Sequence, residues 1–176
     1  MALTDDTTGD LITPVPFYKS MQELVGNLSC GAHASACDAN DWIHAIGWPN
    51  VRTELNRGTR VWLYKNRAGD YVGFGSLGLA SWHFNQTTFV VQLIPMLGVF
   101  EAFQTQPPTE SGTPKYCYQI VDHLLDEAMA RLQESSWVAL SVRPENQKAI
   151  AIYKRAGFEW LRNERQLNRM IVKLVK

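Results

Sequence analysis

Two side chains near the carboxyl end, an amide and a phenol, stand at a spacing that would bring them together on a helix. In SVRPENQKAIAIYKRAGF, residues 141–158, Asn146 and Tyr153 stand seven apart. At 100° per residue they fall about 20° out of register on a helix, with Ile150 between them on the same face. One helical face would therefore offer an amide and, two turns on, a phenol, just beyond the end of an apolar strand. A phenol of pKa about 10 is protonated at neutral pH. Plainer uses exist for both residues, since an asparagine caps helices and a tyrosine packs in cores.

The flanking residues set the shape. Pro144 lacks an N–H and restricts Arg143 to extended geometry, so it ends the strand. Glu145 and Asn146 supply negative charge and a cap at the helix start. Gly157 is the matching left-handed stop, followed by the apolar Phe158.

Other elements must carry this segment. LITPVPFYKS reads as a first strand, and the region from Ser20 to about Trp48 as helical stretches interrupted by Gly26, Gly31 and Gly47, with Asp41 as a helix cap before WIHAI. Arg60 to Lys65 and Tyr71 to Leu77 form a hairpin around Asn-Arg-Ala-Gly-Asp. Thr88 to Phe103 reads as one long buried strand, in which Pro95 and Gly98 mark where regular pairing is disturbed. A proline-rich break, Thr105 to Lys115, stays internal to the domain. Beyond it, Ile120, Leu124, Leu125, Ala128 and Leu132 form one stripe of an amphipathic helix. SWVALSV follows as a buried strand, completing a strand–helix–strand crossover of a parallel pair. FEWLRNERQLNRMIVKLVK closes the chain as two strands, with Leu167, Met170, Val172 and Leu174 mostly on one apolar face.

Composition bounds the function classes. A chain of 176 residues, 45% hydrophobic with six Trp, suits a single soluble domain over residues 1–176. Seventeen basic and seventeen acidic side chains cancel, which removes the overall field that draws a protein onto nucleic acid or anionic lipid. No nucleic-acid or membrane partner is expected. No apolar run approaches the roughly 20 residues that cross a bilayer, and MALTDDTTGDL is acidic where a signal peptide is basic. The expectation is a cytoplasmic protein. Cys30, Cys37 and Cys117 fit reduced thiols, although a Cys30–Cys37 bridge stays open. The run Cys30-x2-His33-x3-Cys37 offers three ligands at a spacing that matches no common zinc pattern, so no metal is expected.

The opening segment resembles the signature of the GCN5-related N-acetyltransferases, a strand ending V-x-P-x-N that leads into a helix with A-x-x-x-Y-x-x-x-G-F. Here the matching residues are Val142, Pro144, Asn146, Ala149, Tyr153, Gly157 and Phe158. The resemblance extends more weakly over residues 58–176, and the first 57 residues match by rough layout. It implies an α/β fold with a mixed, mostly antiparallel central sheet, flanked by helices and splayed open where acetyl-CoA binds. It also implies direct attack of an amine, of a small molecule or a protein, on the thioester. A backbone N–H among Leu97, Gly98 and Val99 would then polarise the carbonyl, Tyr153 would protonate the departing sulfur, and Asn146 would lie near coenzyme A. Copies pairing as a homodimer are one outcome, since many relatives of this fold pair.

One departure concerns the phosphate loop. Family members carry Q/R-x-x-G-x-G/A, a glycine-rich turn whose amides meet the pyrophosphate at a helix start. The corresponding residues here are Gly112, Thr113, Pro114, Lys115, Tyr116, Cys117 and Tyr118. Either Thr113, Lys115 and the neighbouring amides still cradle phosphate, or the pocket has decayed. In the second case the chain would be a catalytically inactive protein of this fold that binds an acyl-CoA or a protein partner.

No carboxylate occupies the position, near Gln92 or Leu93, where some relatives carry a glutamate base. Glu101, and His83 in the strand-to-strand loop SWHFN, are the available bases, with a solvated Glu and a surface His as the plainer readings. Cys117 near a helix start invites a nucleophile reading, which direct transfer does not need. Trp42, Trp48, Trp82, Phe84 and Phe100 could wall an acceptor pocket or fill the core.

Overall fold

The computed structural model describes residues 11–44, 57–84, 86–104, 115–164 and 167–175. Its frame is an eight-stranded sheet in the order β1-β2-β3-β4-β6-β8-β7, with β5 paired to β3 off that path. The strands are β1 (Thr13–Pro16), β2 (Arg60–Lys65), β3 (Tyr71–Phe84), β4 (Thr87–Ile94), β5 (Leu97–Val99), β6 (Trp137–Val142), β7 (Glu159–Glu164) and β8 (Leu167–Lys173). All neighbours are antiparallel except β4 and β6, which run parallel. A parallel pair needs a long crossover, and α4 (Tyr116–Ala130) lies within it.

Helices cover both faces. A 3-10 turn at Lys19–Met21 runs into α1 (Gln22–Val25), followed by α2 (Ala34–Ile43), α3 (Glu101–Gln104), α4 and α5 (Gln147–Arg155). On α4, Tyr116, Ile120, Val121, Leu124 and Ala128 are buried, and with Val138, Leu140, Ile150, Tyr153 and Met170 they form the larger core cluster. Leu125 is only partly buried, and Leu132 lies past the helix end. The opposite face packs Phe17, Val25, Cys30, Ala36, Ala39 and Ile43 against Val61, Leu63, Phe74 and Phe100. Alternation along β2 and β3 makes this division, because successive side chains of a strand point to opposite faces.

Several sequence expectations need correcting. Strand β3 does not stop at Leu77 but continues to Phe84, so His83 lies within a strand rather than in a loop. The segment 88–103 is not one strand: β4 ends at Ile94, β5 resumes at Leu97, and Glu101–Gln104 are helical. Asp41 caps nothing, because it sits inside α2. The cap is His33, whose Nδ1 accepts from the Ala36 N–H at 3.2 Å. On β8 the face turned to the core carries Asn168, Met170 and Val172, while Leu167 is exposed on the other side. The hairpin holds as read, with Asp70 N–H on Asn66 Oδ1 at 2.8 Å. So does the stop after α5, where Gly157 takes φ 90°.

Among the described residues no helix is long and apolar enough to cross a membrane.

Candidate active site

The break between β4 and β5 creates the site. Gly78 opposes Leu93 and Gly75 opposes Leu97, so Ser76 and Leu77 of β3 face three residues, Ile94, Pro95 and Met96. One extra residue in a strand is a β-bulge, which bends that strand away from its old partner. Up to Ile94 the chain pairs with β6 at Leu140. Beyond it β5 follows β3 while β6 continues alongside β8, and the sheet opens.

Into this opening falls a cleft of about 760 Å³. One wall is Ile94, Pro95, Met96 and Leu97; the other is Leu140 to Arg143, with Asn146 and Tyr153 from the start and middle of α5. Helix α2 closes one end through Ser35, Asp38, Asp41 and Trp42.

The exposed edge of β5 presents hydrogen-bond donors. Phe100 N–H bonds Val72 O at 2.9 Å, which makes Phe74 and Gly98 the next hydrogen-bonded pair in the antiparallel alternation. Gly98 therefore turns its N–H to β3, whereas Leu97 and Val99 turn theirs away from it. Of these two, Leu97 lines the cleft. Gly98 has a packing role instead: a Cβ there would come within 2.7 Å of Cys30 Sγ and 3.0 Å of the Phe74 ring. Val99 O accepts from Gln104 Nε2 at 2.7 Å, and the same amide bonds Cys30 O at 2.6 Å, tying this end of β5 to the chain before α2.

Tyr153 is 8% exposed, lines the cleft, and lies 5.9 Å from Phe158 between ring centroids. Burial drives its pKa upward, and the nearby Cys117 adds to the effect. The phenol therefore stays protonated. Asn146 caps α5, its Oδ1 accepting from Ala149 N–H at 3.2 Å, and also lines the cleft. Asn146 and Tyr153 thus line the cleft while also capping α5 and packing in the core.

Gly112, Thr113 and Pro114 lie outside the described residues. Lys115 is the N-cap of α4 and is exposed; its side chain makes no cap hydrogen bond, and the first turn holds no acid. A helix start without an acid carries the positive end of the helix dipole, which favours an anion. Tyr116 is buried edge-on to Phe103 at 6.1 Å. Cys117 stands close enough to Tyr153 to raise that phenol's pKa, and its own thiol is pushed up chiefly by burial. An activated thiolate is thus not what this helix start provides. Tyr118 carries the Arg155 guanidinium 4.6 Å from its ring centre, which brings a cation from α5 to the head of α4.

The two base candidates are elsewhere. His83 is near the far end of β3, with Nδ1 2.8 Å from Thr88 Oγ1, and Glu101 packs beside Gly31. Neither lines the cleft. Of the aromatic residues considered, Trp42 lines it and stacks on Phe74 at 5.9 Å. Trp82 is buried beneath Arg169, 4.5 Å from ring centre to guanidinium, and Phe100 is buried 6.2 Å from Phe74. Trp48 lies outside the described residues, and Phe84 ends β3. His33 and Cys30 go to a helix cap and to packing, and Cys30, Cys37 and Cys117 are free thiols.

Sequence reasoning missed the α2 contribution. Asp38 takes a two-pronged ion pair from Arg143, with Nη2 2.8 Å from Oδ1 and Nε on Oδ2. That bond raises the Arg143 pKa further. Asp41, one turn on, makes no ion pair with a described residue.

No protein-family model matches the chain, and no curated protein matches its sequence. Solved structures do match in shape. A tyrosine-to-phenylalanine mutant of the toxin AtaT, bound to the C-terminus of the antitoxin AtaR and acetyl-CoA, superposes with a TM-score of 0.64 at 16% identity, covering 93% of this chain and 94% of that one. AtaT complexed with acetyl-methionyl-tRNAfMet gives 0.66 at 14% identity, over 92% and 94%. The spermidine/spermine N-acetyltransferase SpeG from Vibrio cholerae, in complex with manganese ions, gives 0.58 at 13% identity, over 93% and 92%. With its sheet splayed after Ile94 and its helices on both faces, the chain has the fold of the GCN5-related N-acetyltransferases.

Proposed function

We propose that the chain is an acetyl-CoA-dependent N-acetyltransferase that passes an acetyl group directly to a primary amine. The observation that carries this reading is the cleft at the β-bulge, on whose walls a buried, protonated phenol and an outward-turned backbone N–H share one space. Similar structures bound to acetyl-CoA or acting as N-acetyltransferases support it.

The residues present fit coenzyme A. The start of α4, with its dipole, Lys115 and the nearby Arg155, suits a pyrophosphate, although the preceding residues are not glycine-rich. When bound, the cofactor supplies an acetyl group already activated as a thioester. Leu97 N–H is the donor for the carbonyl oxygen as negative charge develops there. Tyr153 holds the proton that the leaving sulfur needs. Asn146 orders the start of α5 and so the placement of Tyr153. On the acceptor side Asp38 is occupied by Arg143, which leaves Asp41, beside Trp42, to receive the amine and draw off its proton directly or through water. Asp41 replaces Glu101 and His83 in that role because it alone of the three lines the cleft.

Purified protein mixed with acetyl-CoA and a panel of amines, spermidine and an aminoacyl-tRNA included, is expected to release free thiol with at least one acceptor. Tyr153→Phe should slow that release. Binding of acetyl-CoA without release from any acceptor would favour the inactive alternative. No binding at millimolar coenzyme A by calorimetry would remove both.

A further inference from the structure

We infer that Ser76 is a positioning residue whose hydroxyl sets the β-bulge and thereby aims the Leu97 N–H into the cleft. The inference rests on the transferase reading above. Along β3 and β5 the hydrogen-bonded pairs fall at Val72 with Phe100 and then at Phe74 with Gly98. The next would be Ser76 with Met96. There a side chain stands in for the backbone: Ser76 Oγ donates to Met96 O at 2.6 Å and accepts from Met96 N–H at 3.0 Å. One hydroxyl satisfies both groups of Met96 and acts as a spacer that keeps the strand from closing directly on β3. Pro95, just before, has no N–H with which to form an alternative bond.

Ser76 is fully buried, and Met96 is partly so. Removing the hydroxyl leaves an N–H and a carbonyl without partners, which buried backbone rarely tolerates. The strand would then collapse onto β3 or admit a water. Either outcome rotates the peptide that follows, and that peptide carries Leu97 N–H. Gln104 and Gly98 hold the far end of β5, so the movement is confined to the bulge.

The test uses acetyl-CoA labelled with carbon-13 at its carbonyl, observed by NMR on the intact chain, and needs no known acceptor. Bound to the wild type, the carbonyl resonance is expected to move downfield, as it does when a donor polarises the oxygen. In Ser76→Ala most of that movement should be lost while the affinity for coenzyme A, which has no carbonyl to polarise, is kept. Turnover should fall about tenfold or more, because a small misplacement at a reacting centre costs much. Ser76→Thr, which keeps the hydroxyl, should retain the shift. A wild-type shift in Ser76→Ala, or no shift in wild-type protein that binds acetyl-CoA, overturns the inference. Failure of the wild type to bind acetyl-CoA would instead remove the transferase reading. If Ser76→Ala does not fold, Ser76→Cys carries the measurement: its weaker donor should reduce the shift, and an unreduced shift overturns the inference.

Discussion

Asp38 and Arg143 join helix α2 to the end of strand β6 across the mouth of the cleft, with Nη2 to Oδ1 at 2.8 Å and Nε on Oδ2. A planar guanidinium meeting a carboxylate with two prongs fixes direction as well as distance. Both side chains are partly exposed, so the pair is screened by salt and adds little to overall stability. Its work is to hold the α2 end of the cleft, where Asp41 and Trp42 stand. Asp38→Asn is therefore expected to melt close to the wild type and to keep kcat within about threefold, while the acceptor KM rises roughly threefold to tenfold. Steady-state kinetics with the best amine of the panel decide it. An unchanged KM with a fall in kcat would show that the pair acts on chemistry instead.

Tyr153→Phe removes only the hydroxyl and should cost about 10²-fold in kcat with acetyl-CoA affinity nearly unchanged. Burial raises the pKa of this phenol, and Cys117 raises it further, so the acid form persists above the usual tyrosine value of about 10. The wild-type rate should thus show no alkaline loss from this group up to about pH 10. An alkaline limb near or below that value, present in the wild type and absent from Tyr153→Phe, would contradict the assignment.

What the sequence could and could not disclose follows from the range of the forces involved. The α5 segment is legible because its cap, its stop and its helical face are local: Asn146, Gly157 and the Asn146–Tyr153 spacing act within a few residues. The crossover through α4 is legible for the same reason. The disturbance at Pro95 is legible too, but not that it splits the strand, because the split depends on Ser76 of a neighbouring strand supplying both hydrogen bonds to Met96. Asp38 and Arg143 are 105 residues apart, and no periodicity links them. His83 and Glu101 have suitable chemistry, yet the length of β3 and the start of α3 carry them away from the cleft. Asn168 breaks the apolar alternation of β8, so hydrophobicity alone puts Leu167 on the wrong face.

Gln92 stands near the point where some relatives carry a glutamate base, and its burial shows a different use. Its Nε2 donates toward Ala128 O at 2.8 Å, Ser135 O at 2.8 Å and Arg131 O at 3.4 Å, collecting carbonyls at and beyond the end of α4. They lie where the carbonyls of a helix terminus lose their regular intrahelical partners. Gln92→Glu would set an acceptor-only carboxylate among carbonyl oxygens, at a fully buried site. A loss of about 3 kcal/mol or more in urea unfolding is expected. Gln92→Leu should cost less, because it also removes Oε1, which has no partner among the described residues. Equal stability of Gln92→Glu and the wild type would show that the amide does not anchor the helix.

A second polar chain, running from buried Tyr64 to exposed Arg60, should give the protein an acid-sensitive stability. Tyr64 hydroxyl lies 2.9 Å from His123 Nδ1, His123 Nε2 lies 3.8 Å from Glu127, and Glu127 Oε2 lies 2.6 Å from Arg60. Burial, and then Glu127, raise the Tyr64 pKa, so the phenol keeps its proton, and with the imidazole hydrogen on Nε2, facing the Glu127 carboxylate, Nδ1 accepts the phenol's hydrogen bond. Burial lowers the His123 pKa and Arg60 lowers it further, while Glu127 and Asp126 oppose the change. A histidine whose folded pKa lies below its unfolded value of about 6.5 binds more protons when unfolded. Its stabilising effect is complete above that pH and is lost as pH falls through the folded pKa. Urea midpoints should therefore decline from about pH 7.5 to about pH 5.5, above the range in which ordinary carboxylates titrate. His123→Gln should start lower, having disturbed the Tyr64 bond, yet decline less steeply over the same window. Parallel declines in the two proteins would mean that His123 is not the titrating group.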